Sequence, residues 1–279
     1  EWIDTEVIMA RARDVLQPGF RNDTVTHLRL WWAEHSSEFR LDYFQHGDYL
    51  RAMEDQIRAE SISKLLYPSD NNAMGYELRL KQEYFLVSAT LQDALGHFLA
   101  SEKDLAKLPG HVFFQLNDTH PAMAVPELMR ILLDEHQVGW DTAWGIVTKT
   151  FAYTNHTLLP EALESWSVPL FERLLPRHMQ IVEKIDSWHR RAHPNRPHYV
   201  SIVKHQEVQM GELAFIMSHK VNGVSALHSD LVKANLFPEL NKLHPGRIIN
   251  QTNGVTPRRW LRMANRPLSA LITKSIGPG

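Results

Sequence analysis

The chain has 279 residues, a formal net charge of −2, 43% hydrophobic and 22% charged residues, and no cysteine. This is the composition of an ordinary globular protein, long enough for one large domain or two smaller ones, and it excludes disulfides, thiolate metal ligands and a cysteine nucleophile. Without a clustered basic run nucleic acid is a poor partner, and no apolar stretch reaches a membrane span.

In chain order, Glu1 to Ala10 reads as a strand. A strand at the first residue with no polar leader gives the expectation of a piece cut from a longer protein. Asn22 is positioned to cap a helix through Trp32. Asp48 caps a second, to about Leu66, and Pro68 stops it. Ser69 to Gly75 is a polar loop with strong turn chemistry. Glu77 to Ala100 is a long helix, with Leu80, Tyr84, Val87, Leu91 and Leu95 at helical steps. A strand follows from His111 to Leu116, then a helix opened by Pro126 and running to His136. Asp141 caps the next helix, to about Val147, where a second apolar strand runs to Tyr153. Val168 to about Arg191 reads as one amphipathic helix, and Ala192 to Val208 as a linker or surface excursion. Ala214 to Val224 is an element ending in Asn-Gly, followed by a helix through about Ala234. A strand at Ile248–Thr252 and short helices close the chain. Strands alternating with helices predict an α/β fold, Rossmann-like, with a mainly parallel sheet.

Two runs carry the chemistry: Q-L-N-D-T-H-P from Gln115 and A-Y-T-N-H-T from Ala152. Each continues an apolar strand into Asx, His and Thr. Open α/β sheets bind ligands at the carboxyl edge of their strands. Asp118 with His120, and Asn155 with His156, are therefore expected in one cleft. Asp118-x-His120 has the spacing of a metal pair, with His156 as a possible third ligand. The same residues also serve as local caps, and the spacing decides neither reading. Glu161 and Glu164, three apart after Pro160, are expected to face one way on a helix, Glu161 favouring its dipole. Arg258 and Arg259 beside Trp260 suit a phosphate, a sugar face or salt bridges equally. The tryptophans are expected mostly in the core or at domain contacts. There is no G-x-G-x-x-G, no G-x-x-x-x-G-K-[ST] and no G-x-S-x-G.

Several ordered runs give a family resemblance: W-I-D-T from Trp2, P-G-F-R-N from Pro18, L-R-L-W from Leu28 and E-L-R-L-K-Q-E-Y-F from Glu77. Others are Q-L-N-D-T-H-P itself, the run from Lys149 to Trp166, L-L-P-R-H-M-Q-I from Leu174, V-N-G-V-S-A-L-H-S from Val221 and T-N-G-V-T-P-R-R-W-L from Thr252. Together they resemble the α-glucan phosphorylases, with wording closest to the bacterial enzymes. The resemblance implies phosphorolysis of an α-1,4-glucan such as glycogen or maltodextrin by inorganic phosphate. Glucose 1-phosphate is released with retained configuration, in the cytoplasm, by a homodimer. It implies a two-domain glycosyltransferase B-type fold. Residues 1–265 would be part of the N-terminal, glucose-binding domain and 266–279 the start of the interdomain region. Pyridoxal 5'-phosphate would be bound by a lysine segment that these residues do not include. By the same resemblance, His156 is the catalytic histidine on the 6-hydroxyl of the reacting glucose. Asn155 neighbours it, and Asn265 meets that hydroxyl from the far side. Asp118 and His120 line the cleft, Glu164 forms the adjoining wall, and Asp70 and Asn71 tip a gate loop spanning Ser69 to Tyr76. Ser165 stands where the family usually has arginine.

Overall fold

The computed structural model describes residues 3, 5–36 and 41–277. It opens with an antiparallel hairpin, β1 (Ile8–Pro18) and β2 (Val25–His35), paired from Ile8 opposite His35 to Pro18 opposite Val25. The helix expected from Asn22 to Trp32 is therefore a turn and a strand. Val25, Thr26, Trp31 and Trp32 are β-branched or aromatic and suit a pleated surface. Asn22 caps the reversal instead, its Oδ1 accepting from Thr24 N at 3.0 Å. Of the strand expected over Glu1–Ala10, Ile8 to Ala10 lie in β1, and residues 1, 2 and 4 fall outside the described residues.

Helix α1 (Leu41–Gln45) leads into α2 (Tyr49–Lys64), which Asp48 caps by accepting from Arg51 N at 3.2 Å. Helix α3 (Ala73–Ser101) begins ahead of the expected Glu77 because Asn72 caps it, Oδ1 accepting from Gly75 N at 2.9 Å. The parallel sheet then starts with β3 (Phe114–Asn117), followed by α4 (Ala124–Arg130) and α5 (Trp140–Thr150), and returns as β4 (Phe151–Thr154). The strand expected from Val147 starts at Phe151. Helix α5 holds the preceding residues, and Thr150 Oγ1 bonds back to Ile146 O at 2.8 Å.

Next come β5 (Ser165–Ser167), α6 (Val168–Leu174) and α7 (Pro176–Ala192). The single helix expected over Val168–Arg191 breaks at Pro176. A residue before proline is driven from the helical region, and Leu175 sits at φ −136, ψ 57. The expected linker is packed rather than loose. It carries β6 (Val203–Lys204) and β7 (Glu207–Gln209), which join β5 in an antiparallel sheet ordered β5-β7-β6. Val200, Ile202 and Val208 are buried. Asp186 on α7 pins the segment by accepting from Ser201 Oγ at 2.8 Å and Ile202 N at 2.9 Å.

The stretch read as one element before Val224 is two, α8 (Met210–Met217) and β8 (Lys220–Gly223). Then come α9 (Ala226–Leu231), α10 (Pro238–Leu243), β9 (Ile248–Asn250) and α11 (Arg266–Ile276). The parallel sheet is ordered β3-β4-β8-β9. Helix α4 packs on α3, α5, α7 and α8. Leu128, Val147, Ile181 and Phe215 from these helices bury against Phe151, Tyr153 and Val221 of the sheet. Each such side chain stabilises by about 1.5–3 kcal/mol on leaving water.

One charged network lies inside that layer. The fully buried Glu127 of α4 accepts from Ser88 Oγ at 2.7 Å, Arg130 Nε at 2.8 Å and His178 Nε2 at 2.6 Å. Burial alone would raise its pKa. The bonds from His178 and Arg130 outweigh burial and hold it at about 2. Burial lowers His178, so we read it as a neutral donor and Arg130 as the positive partner. A buried charge with this many donors fixes how α3, α4 and α7 meet.

Candidate active site at the carboxyl edge of the sheet

The two loops expected to share a cleft are joined by backbone bonds. Beyond the β3–β4 pairing, Asp118 N donates to Thr154 O at 2.9 Å, and Asn155 N donates to Asn222 O at 2.9 Å. The strand ladder thus extends one residue past β3 and β4 and positions the residues that follow. His156, exposed, brings Nε2 within 2.5 Å of Asn117 Oδ1. An amide oxygen only accepts, so Nε2 carries the proton. In the neutral ring Nδ1 is then left as an acceptor. Asn155 is buried. Its Nδ2 donates to Tyr153 OH at 3.0 Å, and its Oδ1 has no hydrogen-bond partner. Asp118 turns the chain at φ +67, with its carboxylate accepting from Thr119 N at 2.6 Å. The buried Thr119 accepts from Glu164 N at 3.4 Å, tying the β3 loop to the chain entering β5.

A cleft of about 130 Å³ opens beside these loops, lined by Tyr67, Arg79, Glu83, Val87, His120 and Pro121 among others. His120 Nδ1 meets Tyr67 OH at 3.3 Å. Arg79 on α3 pairs with Asp70 at 2.8 Å, closely with Glu164, and lies 3.7 Å from Glu83. Glu83 and Glu164 thus both approach Arg79, and each carboxyl feels the charge of the other. Burial first, then the Glu164 charge, pushes Glu83 up to about 10, and burial also raises Glu164. Each has a second oxygen that is buried without a donor. With Glu83 keeping its proton at neutral pH, Glu164 and Asp70 are the carboxylates that pair with Arg79.

Asp118, His120, Asn155, His156 and Glu164 therefore gather at this edge, and Asp70 joins them through Arg79. Asn71 is exposed next to Asp70. Asn265 bonds elsewhere, capping α11 with Oδ1 accepting from Leu268 N at 3.2 Å. Glu161 and Glu164 do not share a helix. Pro160–Ala162 is a single turn, and Glu164 already leads into β5. Asp118, His120 and His156 do not converge as metal ligands among the described residues. Ser165 donates to Glu207 at 2.9 Å. Trp166 is fully buried, whereas Trp260 is 62% exposed and Arg258 stacks over Phe20 at 4.1 Å. Sequence reasoning missed Arg79 and Glu83. Their only signal was an opposite-charge pair at i,i+4 on a helix with an apolar face, a common surface pattern.

The family model described as carbohydrate phosphorylase matches residues 1–279. Glycogen phosphorylase of Chlamydia trachomatis serovar D is 47% identical over 287 residues, covering 99% of this chain and 35% of its own length. The liver form of glycogen phosphorylase from Ovis aries is 47% identical over 99% of the chain, again 35% of that protein. The brain form from Rattus norvegicus is 46% identical over 100% of the chain and 35% of that protein. The chain thus spans about a third of the length of the curated relatives it matches. With the whole chain matched and identity near one half, it belongs to the carbohydrate phosphorylase family.

Proposed function

We propose that the chain is the glucose-holding part of an α-1,4-glucan phosphorylase. Such an enzyme is a glycosyltransferase that cleaves glycogen or maltodextrin with inorganic phosphate and releases glucose 1-phosphate with retention. Residues 1–265 belong to its N-terminal domain and 266–279 lead toward the second domain of a two-domain glycosyltransferase B-type fold. The whole enzyme is a cytoplasmic homodimer. The observation that carries this reading is His156, oriented by Asn117 across the carboxyl edge of β3 and β4 in a chain of this family.

In this reading His156 accepts a hydrogen bond from a sugar hydroxyl at Nδ1, while Nε2–H stays on Asn117. Asp118 and His120 offer further partners for sugar hydroxyls, and Asp70 and Asn71 tip the gate loop on the family pattern. Asn265 belongs to the same site on the family pattern. The proton kept by Glu83 removes one negative charge from the wall that Arg79 shares with Asp70 and Glu164.

Pyridoxal phosphate supplies proton transfer through its phosphate in this family. The residues at this cleft do not suit that group. Its guanidinium, Arg79, is already paired with Asp70 and Glu164 and is not free for a phosphate. Of the lysines, Lys204 is paired with Glu212 and Lys220 with Gly246 O.

The test is His156→Ala in a complete phosphorylase carrying these residues, assayed for glucose 1-phosphate release. A single lost hydrogen bond costs about 0.5–1.5 kcal/mol in the ground state, and a partner poised for the transition state about 2.7–4 kcal/mol. We expect kcat to fall about 100-fold or more, with a smaller change in KM for glucan, because distant glucose units still bind. An unchanged kcat with only a weaker KM would reduce His156 to uniform binding.

A further inference from the structure

Three imidazoles meet at the edge of the parallel sheet opposite the cleft. His189 and His193 lie one turn apart near the end of α7, and His244 follows α10 in the link leading into the amino end of β9. Their ring centroids form a nearly even triangle, 4.7 Å from His189 to His193, 5.3 Å from His189 to His244 and 4.9 Å from His193 to His244. One nitrogen from each ring lies within 4.8 Å of the others. His189 is buried and the other two are half-buried.

The closest pair is the informative one. Nε2 of His189 and Nε2 of His244 are 3.0 Å apart. With zinc–nitrogen bonds of about 2.0–2.1 Å, two ligands at the tetrahedral angle stand about 3.3 Å apart, and two at a right angle about 2.9 Å. The observed separation lies between these values. Two histidines four residues apart on a helix present neighbouring nitrogens to one ion. A plain hydrogen bond between His189 and His244 explains their contact, but it does not explain why His193 completes the triangle.

We propose that His189, His193 and His244 form a binding site for a late first-row divalent cation, of the zinc, cobalt or nickel class. An all-imidazole set suits these metals and not the oxygen-seeking magnesium or calcium. Three protein ligands leave a fourth position for water on the half-buried side. Burial holds His189 at about 4 and His244 at about 3, so both rings keep their lone pairs at neutral pH. The charges facing the site are mixed. Arg196 and Arg247 oppose a cation and Asp186 favours one. Arg247 is committed to Phe215 O and Ile216 O, and Arg196 to Pro197 O, so neither guanidinium occupies the triangle's hydrogen-bonding positions. A bound ion would cross-link α7 to the α10–β9 connection. It lies apart from His156, so its role is to brace the fold.

The test is a titration of the chain with cobalt(II) alone, followed by its visible absorption, and then displacement by zinc(II). One cobalt per chain with a low-symmetry d–d band is expected. His193→Gln and His244→Gln should each weaken binding by more than about 100-fold, beyond the loss that removing an outer-shell partner commonly gives. His198→Gln, at an exposed histidine of the same segment, should leave the band unchanged. Zinc should raise the melting temperature of the parent chain and not of His193→Gln. Circular dichroism of His193→Gln, which changes the half-buried residue just past the end of α7, verifies that folding is intact. Absence of a stoichiometric band, or a band indifferent to both His193→Gln and His244→Gln, overturns the proposal.

Discussion

Glu83→Gln is expected to make the chain more stable at neutral pH, although it alters a buried group beside the cleft. Glu83 has a side chain only 10% exposed, and its folded pKa of about 10 compares with an ordinary 4.5. The folded chain therefore keeps a proton that the unfolded chain releases. A raised acid pKa gives stability that is fully present below pH 4.5 and is lost as pH rises toward 10. Within that window the loss is about 1.4 kcal/mol per pH unit. By pH 7 it reaches about 3 kcal/mol. Glutamine is neutral where Glu83 keeps its proton, and Glu164 stays ionised on Arg79. The variant thus keeps the contacts and loses the titration. Urea unfolding from pH 5 to pH 9 is the assay. The two stabilities should lie close together near pH 5 and diverge in favour of Glu83→Gln by about 3 kcal/mol near pH 7. Parallel curves, or a variant less stable at every pH, would show that Glu83 is ionised and that the retained-proton reading is wrong.

Two further changes probe the scaffold. Glu127→Gln removes the charge that Arg130 and His178 surround and should cost about 3 kcal/mol, the low end for a broken buried pair, because Arg130 keeps Glu135 at 2.9 Å. Chemical denaturation measures it, and a loss below about 1 kcal/mol would mean that the network is incidental. In the parent chain the lowered pKa of Glu127 gives stability that is present at neutral pH and lost as pH falls from the ordinary carboxylate range toward about 2. Asp186→Asn weakens the anchor of Ser201 and Ile202 and should cost about 1–3 kcal/mol. Limited proteolysis should then cut faster between Arg190 and Arg196, and an unchanged cleavage rate would place the anchor elsewhere.

The parallel sheet and its carboxyl-edge loops were legible because each strand is apolar and ends in Asx, His or Thr. The loops carrying Asp118 with His120, and Asn155 with His156, follow neighbouring paired strands for that reason. The hairpin was misread because Asn22 before a polar–apolar mixture resembles a helix cap. Only the cross-strand partners of Leu28 and Trp32 reveal a strand, and those lie far off in sequence. The packed Ala192–Val208 segment was hidden likewise, since its anchor, Asp186, belongs to the preceding helix. Arg79 and Glu83 were unreadable for a related reason. An ion pair on a helix becomes a site component only when Glu164 arrives from 81 or more positions away in a different unit. The joining of two segments, and not the local spelling of either, creates that wall.

The left-handed turn at Asp118 has a consequence for how this position can drift. Backbone at φ +67 is comfortable for glycine and accessible to asparagine and aspartate, and it strains nearly everything else. Glycine satisfies the turn without the bond to Thr119 N, and asparagine satisfies both. Folding alone therefore admits three letters at this site, and it ranks aspartate above asparagine only by the strength a charged acceptor adds to the bonds from Thr119 N and Thr119 Oγ1. The negative charge is the one property that separates them. A drift to asparagine would keep the turn and remove the charge alone, and a drift to glycine would keep the turn and remove both bonds to Thr119.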